Sequence, residues 1–346
     1  MKVLPRETDD ASQAVRPRQP MSAAAAGNRA AGTLGHRDDI QGLRAVAVLL
    51  VALGHAGVGF LRGGFIGVDV FFVLSGFLIT RLLIAGVERE GIVSLREFYA
   101  RRAKRILPAA ALTLVVIDIA SQHLLNFVRA KQAVIDSLWA ALFSANVHFA
   151  RQGVDYFAQG QPPSPVQHFW SLAVEEQFYL LWPLLLALLL TGAALHGRTR
   201  RLATVLVPVG LASLAWSILD TGRTPAAAYF STAARAWELI LGAALAIGAS
   251  RFVRLTDRTR AAMGWAGILA IGAAAVLFSD ATPFPGYAAL LPTIGAALVI
   301  AAGIGDERSR RGVGRLLGRP PLRYVGDRSY AFYLWHWPAL VIAASY

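Results

Sequence analysis

DIQGLRAVAVLLVALGHAGVGFLRGGFIGVDVFFVLSGFLIT, Asp39 to Thr80, is the stretch whose reading decides the fold. Two apolar runs, 41–58 and 65–85, flank a glycine-rich turn. An α-helix needs about 20 apolar residues to cross a hydrocarbon core of ~30 Å, so each run predicts a membrane helix. The first helix carries Arg44 near its start and His55 near its middle. At 3.6 residues per turn their spacing returns to within about 20°, so the two side chains share one face. They stand roughly 16 Å apart along the axis, about half of the core thickness. With Arg44 at the membrane edge, His55 is expected near the midplane. An ionisable group at that depth normally faces the bundle interior and serves a function. The second helix supplies Asp69, then Phe71 and Phe72, then Ser75 and Gly76.

The rest of the chain has the same character. Of its 346 residues 55% are hydrophobic and only 16% charged. Apolar segments recur at 41–58, 65–85, 106–125, 132–149, 170–195, 202–219, 226–249, 261–279, 287–304 and 324–346. The fold class is therefore all-α, a polytopic transmembrane helix bundle of about ten hydrophobic segments. A net charge of +13 raises the question of nucleic acid. The arginines instead sit in short clusters between apolar runs, as cytoplasmic loops carry them, so no nucleic-acid partner is expected. There is no cysteine, which excludes disulfides and thiolate chemistry. The seven histidines lack HxxxH or HExxH spacing, so no metal site is expected.

Residues 1–37, rich in Ala, Pro, Arg and Asp, read as a disordered cytoplasmic tail, and 38–346 as the transmembrane domain. Lys and Arg number 6 before residue 40, 7 in 81–105, 3 in 196–201, 4 in 250–260 and 6 in 305–323. Gaps 59–64, 150–168 and 220–225 hold one each, and 280–286 none. The positive-inside rule places the first group in the cytoplasm and the second outside. That count requires an odd number of crossings between 105 and 150, where two apolar segments lie. The second, with Asp136, Asn146 and His148, is expected to be re-entrant or interfacial; ten full spans with one cluster breaking the rule is the alternative.

Five motifs carry chemistry. Arg44 and His55 form the first. A neutral imidazole suits a general base that takes a proton from a hydroxyl, and Arg44 suits an anionic group. The bland alternative is a packing histidine and a snorkelling arginine. Arg101-Arg102-Ala103-Lys104-Arg105-Ile106-Leu107-Pro108 is the second. It reads as a topology signal or as a phosphate clamp, with Arg102 and Arg105 on one helical face and Pro108 at an early helical position. In the third, Gln167 to Tyr179, Glu175 and Glu176 adjoin one another at the head of an apolar run, where one is expected to orient or charge His55 or to bind an acceptor. Favourable charge at a helix N-terminus is the alternative. Arg235 and Glu238, three apart, form an ion pair or a site. DRSYAFYLWHWP, Asp327 to Pro338, holds Tyr330 and His336 and reads as a site or an interfacial aromatic belt. Ser75 is not in a GxSxG elbow, and a small serine in a membrane helix more often packs.

These motifs, in this order, resemble the acyltransferase 3 family, polytopic bacterial proteins that O-acylate surface carbohydrates. The matching stretches are GGFIGVDVFFVLSGFLIT, RRAKRILP, HFWSLAVEEQFYLLWP, RAWELILGA and GDRSYAFYLWHWP, and the resemblance covers about 38–344. It implies an integral membrane acyltransferase with no permanently bound cofactor. The donor would be acyl-CoA, usually acetyl-CoA, loaded from the cytoplasm, and the acceptor a hydroxyl of a surface or lipid-linked glycan. His55, Arg44, Glu175 and Glu176 would be catalytic. Arg101, Arg102 and Arg105 would hold coenzyme A, and Asp69, Ser75, His168, Trp170, Arg235, Glu238, Tyr330 and His336 would line the substrate site. The location implied is the inner or plasma membrane, multi-pass, with a cytoplasmic N-terminus and membrane lipid as solvent. Some relatives continue into an extracytoplasmic SGNH-type domain that this sequence is expected to lack, so a separate esterase-like partner is a further implied partner. A proton-coupled transporter or flippase, with His55, Asp69 and the glutamates as a relay, is the competing reading. An inert membrane subunit is a third.

Overall fold

The computed structural model describes residues 37–157, 162–190, 195–305 and 312–345. Apart from Arg37, the tail expected over 1–37 lies outside the described residues. Among those described there are fifteen α-helices and no strand, so the all-α reading holds. In chain order they are α1 (Asp38–His55), α2 (Gly67–Glu90), α3 (Leu95–Leu124), α4 (Phe127–Ala141) and α5 (Ala145–Arg151). Then come α6 (Phe169–Leu190), α7 (Leu195–Arg223), α8 (Pro225–Phe230), α9 (Thr232–Ile247) and α10 (Ala249–Phe252). The last five are α11 (Asp257–Leu277), α12 (Leu290–Ala302), α13 (Gly312–Leu317), α14 (Pro320–Asp327) and α15 (Ser329–Ala343).

The apolar runs were continuous in sequence, yet several are broken in space. Four described stretches are long and apolar enough to cross a membrane: Gly59–Glu90, Phe169–Leu189, Arg201–Arg223 and Asp257–Leu277. The run 132–149 divides into α4 and α5 at Phe143, which takes a left-handed φ of 50°. At 1.5 Å per residue the 15 residues of α4 reach only about 22 Å, less than the ~30 Å core. The run 226–249 divides at Ser231, whose hydroxyl accepts from the Ala234 amide and caps α9. The run 324–346 divides at Arg328 between α14 and α15. Hydropathy cannot register such breaks, because a cap or a positive φ changes direction without changing polarity.

Two expectations about position need correction. His55 is the last residue of α1, not its middle. Gly57 adopts φ of 76°, a left-handed conformation that ends the helix and turns the chain into a 3-10 segment, Gly59–Ile66. The 18 residues of α1 cover about 27 Å, so His55 stands at the opposite end of the helix from Asp38. Pro108 does not open a helix either. It lies inside α3, which starts at Leu95, so the basic cluster belongs to a continuous helix.

The core of the bundle is set by glycines where helices touch. A Cβ on Gly76 of α2 would strike the Leu239 carbonyl of α9, and one on Gly242 would strike the Val73 carbonyl of α2. Without side chains at these two positions the backbones meet directly, the small-residue contact that membrane helices favour. Asp69 and Arg235 each lie seven residues before these glycines, on the same faces of their helices. The close contact therefore also delivers Asp69 to Arg235.

Candidate active site

Three histidines that are distant in sequence converge at the end of α1. His55 Nδ1 lies 3.0 Å from His336 Nε2 of α15, and the rings stack with centroids 5.2 Å apart. His55 Nε2 lies 2.6 Å from the Tyr156 hydroxyl, in the chain between α5 and α6. Trp337 sets its ring edge-on to His55 at 4.5 Å, and its indole N–H donates to the Ser164 carbonyl. His168, just before α6, places its ring 5.7 Å from that of His336.

The direction of these bonds follows from one carbonyl. His336 Nδ1 lies 2.7 Å from the Tyr333 carbonyl, which can only accept, so that nitrogen carries the proton. In the neutral ring His336 Nε2 is then an acceptor, and His55 Nδ1–H donates to it. His55 Nε2 is left with its lone pair facing the Tyr156 O–H. Burial pushes the Tyr156 phenol above its ordinary range, so it keeps its proton and donates. The chain Tyr156 to His55 to His336 to Tyr333 thus holds His55 in the tautomer whose basic nitrogen points into the site. Neither glutamate orients His55; His336 does, because α15 and not α6 brings a polar group within reach.

The acidic pair sits about 10 Å further along α6 than His168. Ser75 Oγ donates to Glu175 at 2.6 Å. Arg102 Nη2 of α3 bonds Glu176 at 3.1 Å, and its guanidinium lies 3.3 Å from the Tyr179 ring centroid. Arg44 bonds Gln41 at 3.2 Å and interacts electrostatically with Arg105, Glu175, Tyr179 and Asp327. Tyr330 bonds the Ile106 carbonyl at 3.2 Å and faces Glu175, Glu176, Arg102 and Arg105. Arg101 points elsewhere, to Glu97 one turn back on the exposed face. The three arginines of the expected clamp are therefore split, because successive helical residues point about 100° apart.

Between the two clusters runs a polar seam of α6 and α15. Ser171 and Tyr333 share a 2.6 Å hydroxyl–hydroxyl bond, and Tyr333 also donates to the His168 carbonyl at 3.1 Å. His168, Ser171, Glu175 and Tyr179 repeat at three to four residues, which is one face of a helix. Beside the seam Asp69, Arg235 and Glu238 form a triad with no exposed side-chain surface. Arg235 Nη1 lies 3.0 Å from Asp69 and 2.9 Å from Glu238, and the rings of Phe72, Trp170, Tyr229 and Phe284 surround its guanidinium at 5.2–5.7 Å. The ion pair allowed by spacing is present, with Asp69 as a third member.

The model of the acyltransferase 3 family, an acyltransferase domain, matches residues 37–346. The chain belongs to the acyltransferase 3 family. Similar family members include a "Peptidoglycan O-acetyltransferase OatA" of Listeria monocytogenes, 34% identical over 317 residues, which are 88% of this chain and 49% of the relative. A "Putative peptidoglycan O-acetyltransferase YrhL" of Bacillus subtilis is 34% identical over 88% of this chain and 48% of its own length. An "O-acetyltransferase OatA" of Staphylococcus aureus is 34% identical over 89% of this chain and 51% of its own length. The chain thus spans about half the length of these curated relatives. No solved structure matches it. Together with the apolar helices, membership in the acyltransferase 3 family makes this a helical membrane protein.

Several residues of this acyltransferase 3 site carried no weight in the sequence. Tyr156 and Tyr229 lie in no quoted motif, and a lone tyrosine gives no spacing signal. Tyr333 and Tyr179 lie inside motifs but were hidden among other aromatics.

Proposed function

We propose that the protein is a membrane O-acetyltransferase that moves an acetyl group from acetyl-CoA to a hydroxyl of a cell-envelope glycan. The observation that carries the reading is the hydrogen-bonded chain that leaves His55 Nε2 as a free base beside a hydroxyl. Acyl transfer needs such a base within hydrogen-bond reach of the proton it removes. Arg102, Arg105 and Arg44 supply cationic charge for the phosphates of the donor, on the side of the bundle that carries the basic loops. That side faces the cytoplasm in this reading, and His55 lies toward the opposite face. The names of the relatives support an acetyl group and peptidoglycan as the glycan class.

In this mechanism a hydroxyl replaces Tyr156 as the donor to His55 Nε2. His55 takes its proton as the oxygen attacks the thioester carbonyl, and returns a proton to the departing thiolate. His336 holds the imidazole in place and disperses the charge it gains. Arg44 and the Arg102–Glu176 pair position the donor. The test compares His55→Gln with wild type in purified protein, by thiol release from acetyl-CoA and by acetyl-CoA binding. Gln keeps size and a hydrogen bond but has no basicity, so transfer is expected to vanish while binding stays within twofold. Near-normal transfer in His55→Gln would rule His55 out as the base.

A further inference from the structure

Against Tyr156, the partner of His55, stand two buried donors without a well-formed hydrogen bond. Trp170 is 0% exposed, and its indole N–H has no hydrogen-bond partner among the described residues. Tyr229 is 1% exposed, and its hydroxyl is likewise unpartnered. Buried donors are rarely left unmade, because the group loses water and gains nothing. Their position separates them from other unpartnered groups such as the Trp237 indole. Tyr229 stacks on Tyr156 at 4.3 Å and 21°, Trp170 packs on Tyr229 at 4.9 Å, and on Tyr156 at 6.3 Å. The Tyr229 hydroxyl lies near enough to that of Tyr156 to interact with it, and an acceptor that displaces Tyr156 from His55 would release it. Both donors are rigid. Trp170 is wedged against Phe72 and Phe230, Tyr229 against Phe284, and the Arg235 guanidinium lies 5.6 and 5.7 Å from their ring centroids.

Acyl transfer creates a negative oxygen at the carbonyl under attack, and fixed N–H or O–H donors aimed at it are the usual large contribution to catalysis. We propose that Trp170 N–H and Tyr229 O–H form the oxyanion hole of this protein and that both are catalytic residues. The assignment rests on the reading of His55 as base. In the step, the acceptor oxygen bonds to the carbonyl carbon while its proton passes to His55 Nε2. The carbonyl π pair moves onto oxygen, where the two donors hold it. On collapse the C=O bond reforms, the C–S bond breaks, and the thiolate takes the proton from His55 and leaves as free thiol.

The test uses the purified full chain with acetyl-CoA and chitotetraose, reading thiol release to sugar or to water. Trp170→Phe and Tyr229→Phe each keep a ring and delete a donor. Each is expected to lower kcat by about 100- to 1000-fold, with KM and Kd for acetyl-CoA within about twofold, since an oxyanion donor acts in the transition state alone. A kcat within about threefold of wild type overturns the assignment, as does a higher KM at normal kcat. If the Phe protein at 170 unfolds early, benzothienylalanine at that position removes only the N–H, and normal kcat there overturns it equally. His55→Gln runs in parallel. If it is dead while both donor variants are active, the oxyanion assignment alone falls. If it is active, the base reading falls and takes this one with it.

Discussion

Removing the acceptor that orients His55 is the sharpest probe of the histidine chain. In His336→Phe the 3.0 Å bond to His55 Nδ1 and the 2.7 Å bond to the Tyr333 carbonyl both disappear, while an aromatic ring remains against His55. His55 Nδ1–H then has no acceptor. A buried donor left unmade costs about 1–3 kcal/mol, and each 1.36 kcal/mol is tenfold in rate. The imidazole recovers part of that by moving its proton to Nε2 and facing Nδ1 inward, the tautomer with no base toward the site. The expected loss in kcat is therefore about 10- to 100-fold, or more where the wrong tautomer dominates. His336→Gln offers a carbonyl oxygen to His55 Nδ1–H and is expected to recover much of the loss. Acetyl-CoA affinity should hold in both, because the cationic cluster lies about 10 Å further along α6. The assay is thiol release under saturating donor, with affinity measured separately. If His336→Phe retains a kcat within threefold of wild type, the chain does not set the tautomer and the reasoning fails.

Other perturbations have distinct signatures. Arg102→Ala with Arg105→Ala should weaken acetyl-CoA binding by about ten- to a hundredfold per charge-assisted bond lost, and unchanged titration calorimetry would reduce the arginines to topology signals. Lys at position 102 should bind better than Ala but worse than Arg, because the planar fork and its stacking on Tyr179 are lost. Arg235→Met leaves two carboxylates facing each other with no exposed surface, at a cost of about 3–5 kcal/mol, seen as a clear fall in Tm in detergent. The triple variant Asp69→Asn, Arg235→Met, Glu238→Leu should regain most of that Tm, and a triple as unstable as the single would refute the charge argument. Arg89→Cys and Asp155→Cys, made singly in this cysteine-free chain, should label from the inside and the outside respectively with an impermeant reagent. Labelling of both from one side would refute the odd crossing number between 105 and 150.

Most of the architecture could be read from residues alone, because lipid imposes a simple rule on composition. Apolar runs must be helices where no water can satisfy the backbone. The family, the basic loops and the pairing of Arg235 with Glu238 followed from the same linear information. What it could not locate was where helices stop. Gly57, Phe143, Ser231 and Arg328 break runs that hydropathy treats as whole, and the first of these moved His55 from the middle of a helix to its end. Nor could it choose partners across the bundle. His55 is 281 residues from His336 and 101 from Tyr156, and only packing decides that these groups, and not a glutamate, meet it. The direct contact of α2 and α9 at Gly76 and Gly242 brings Asp69 to Arg235 across 166 residues. Helical periodicity acts over a few residues, whereas a hydrogen-bonded site is made by side chains from separate helices, so its chemistry is decided in tertiary structure.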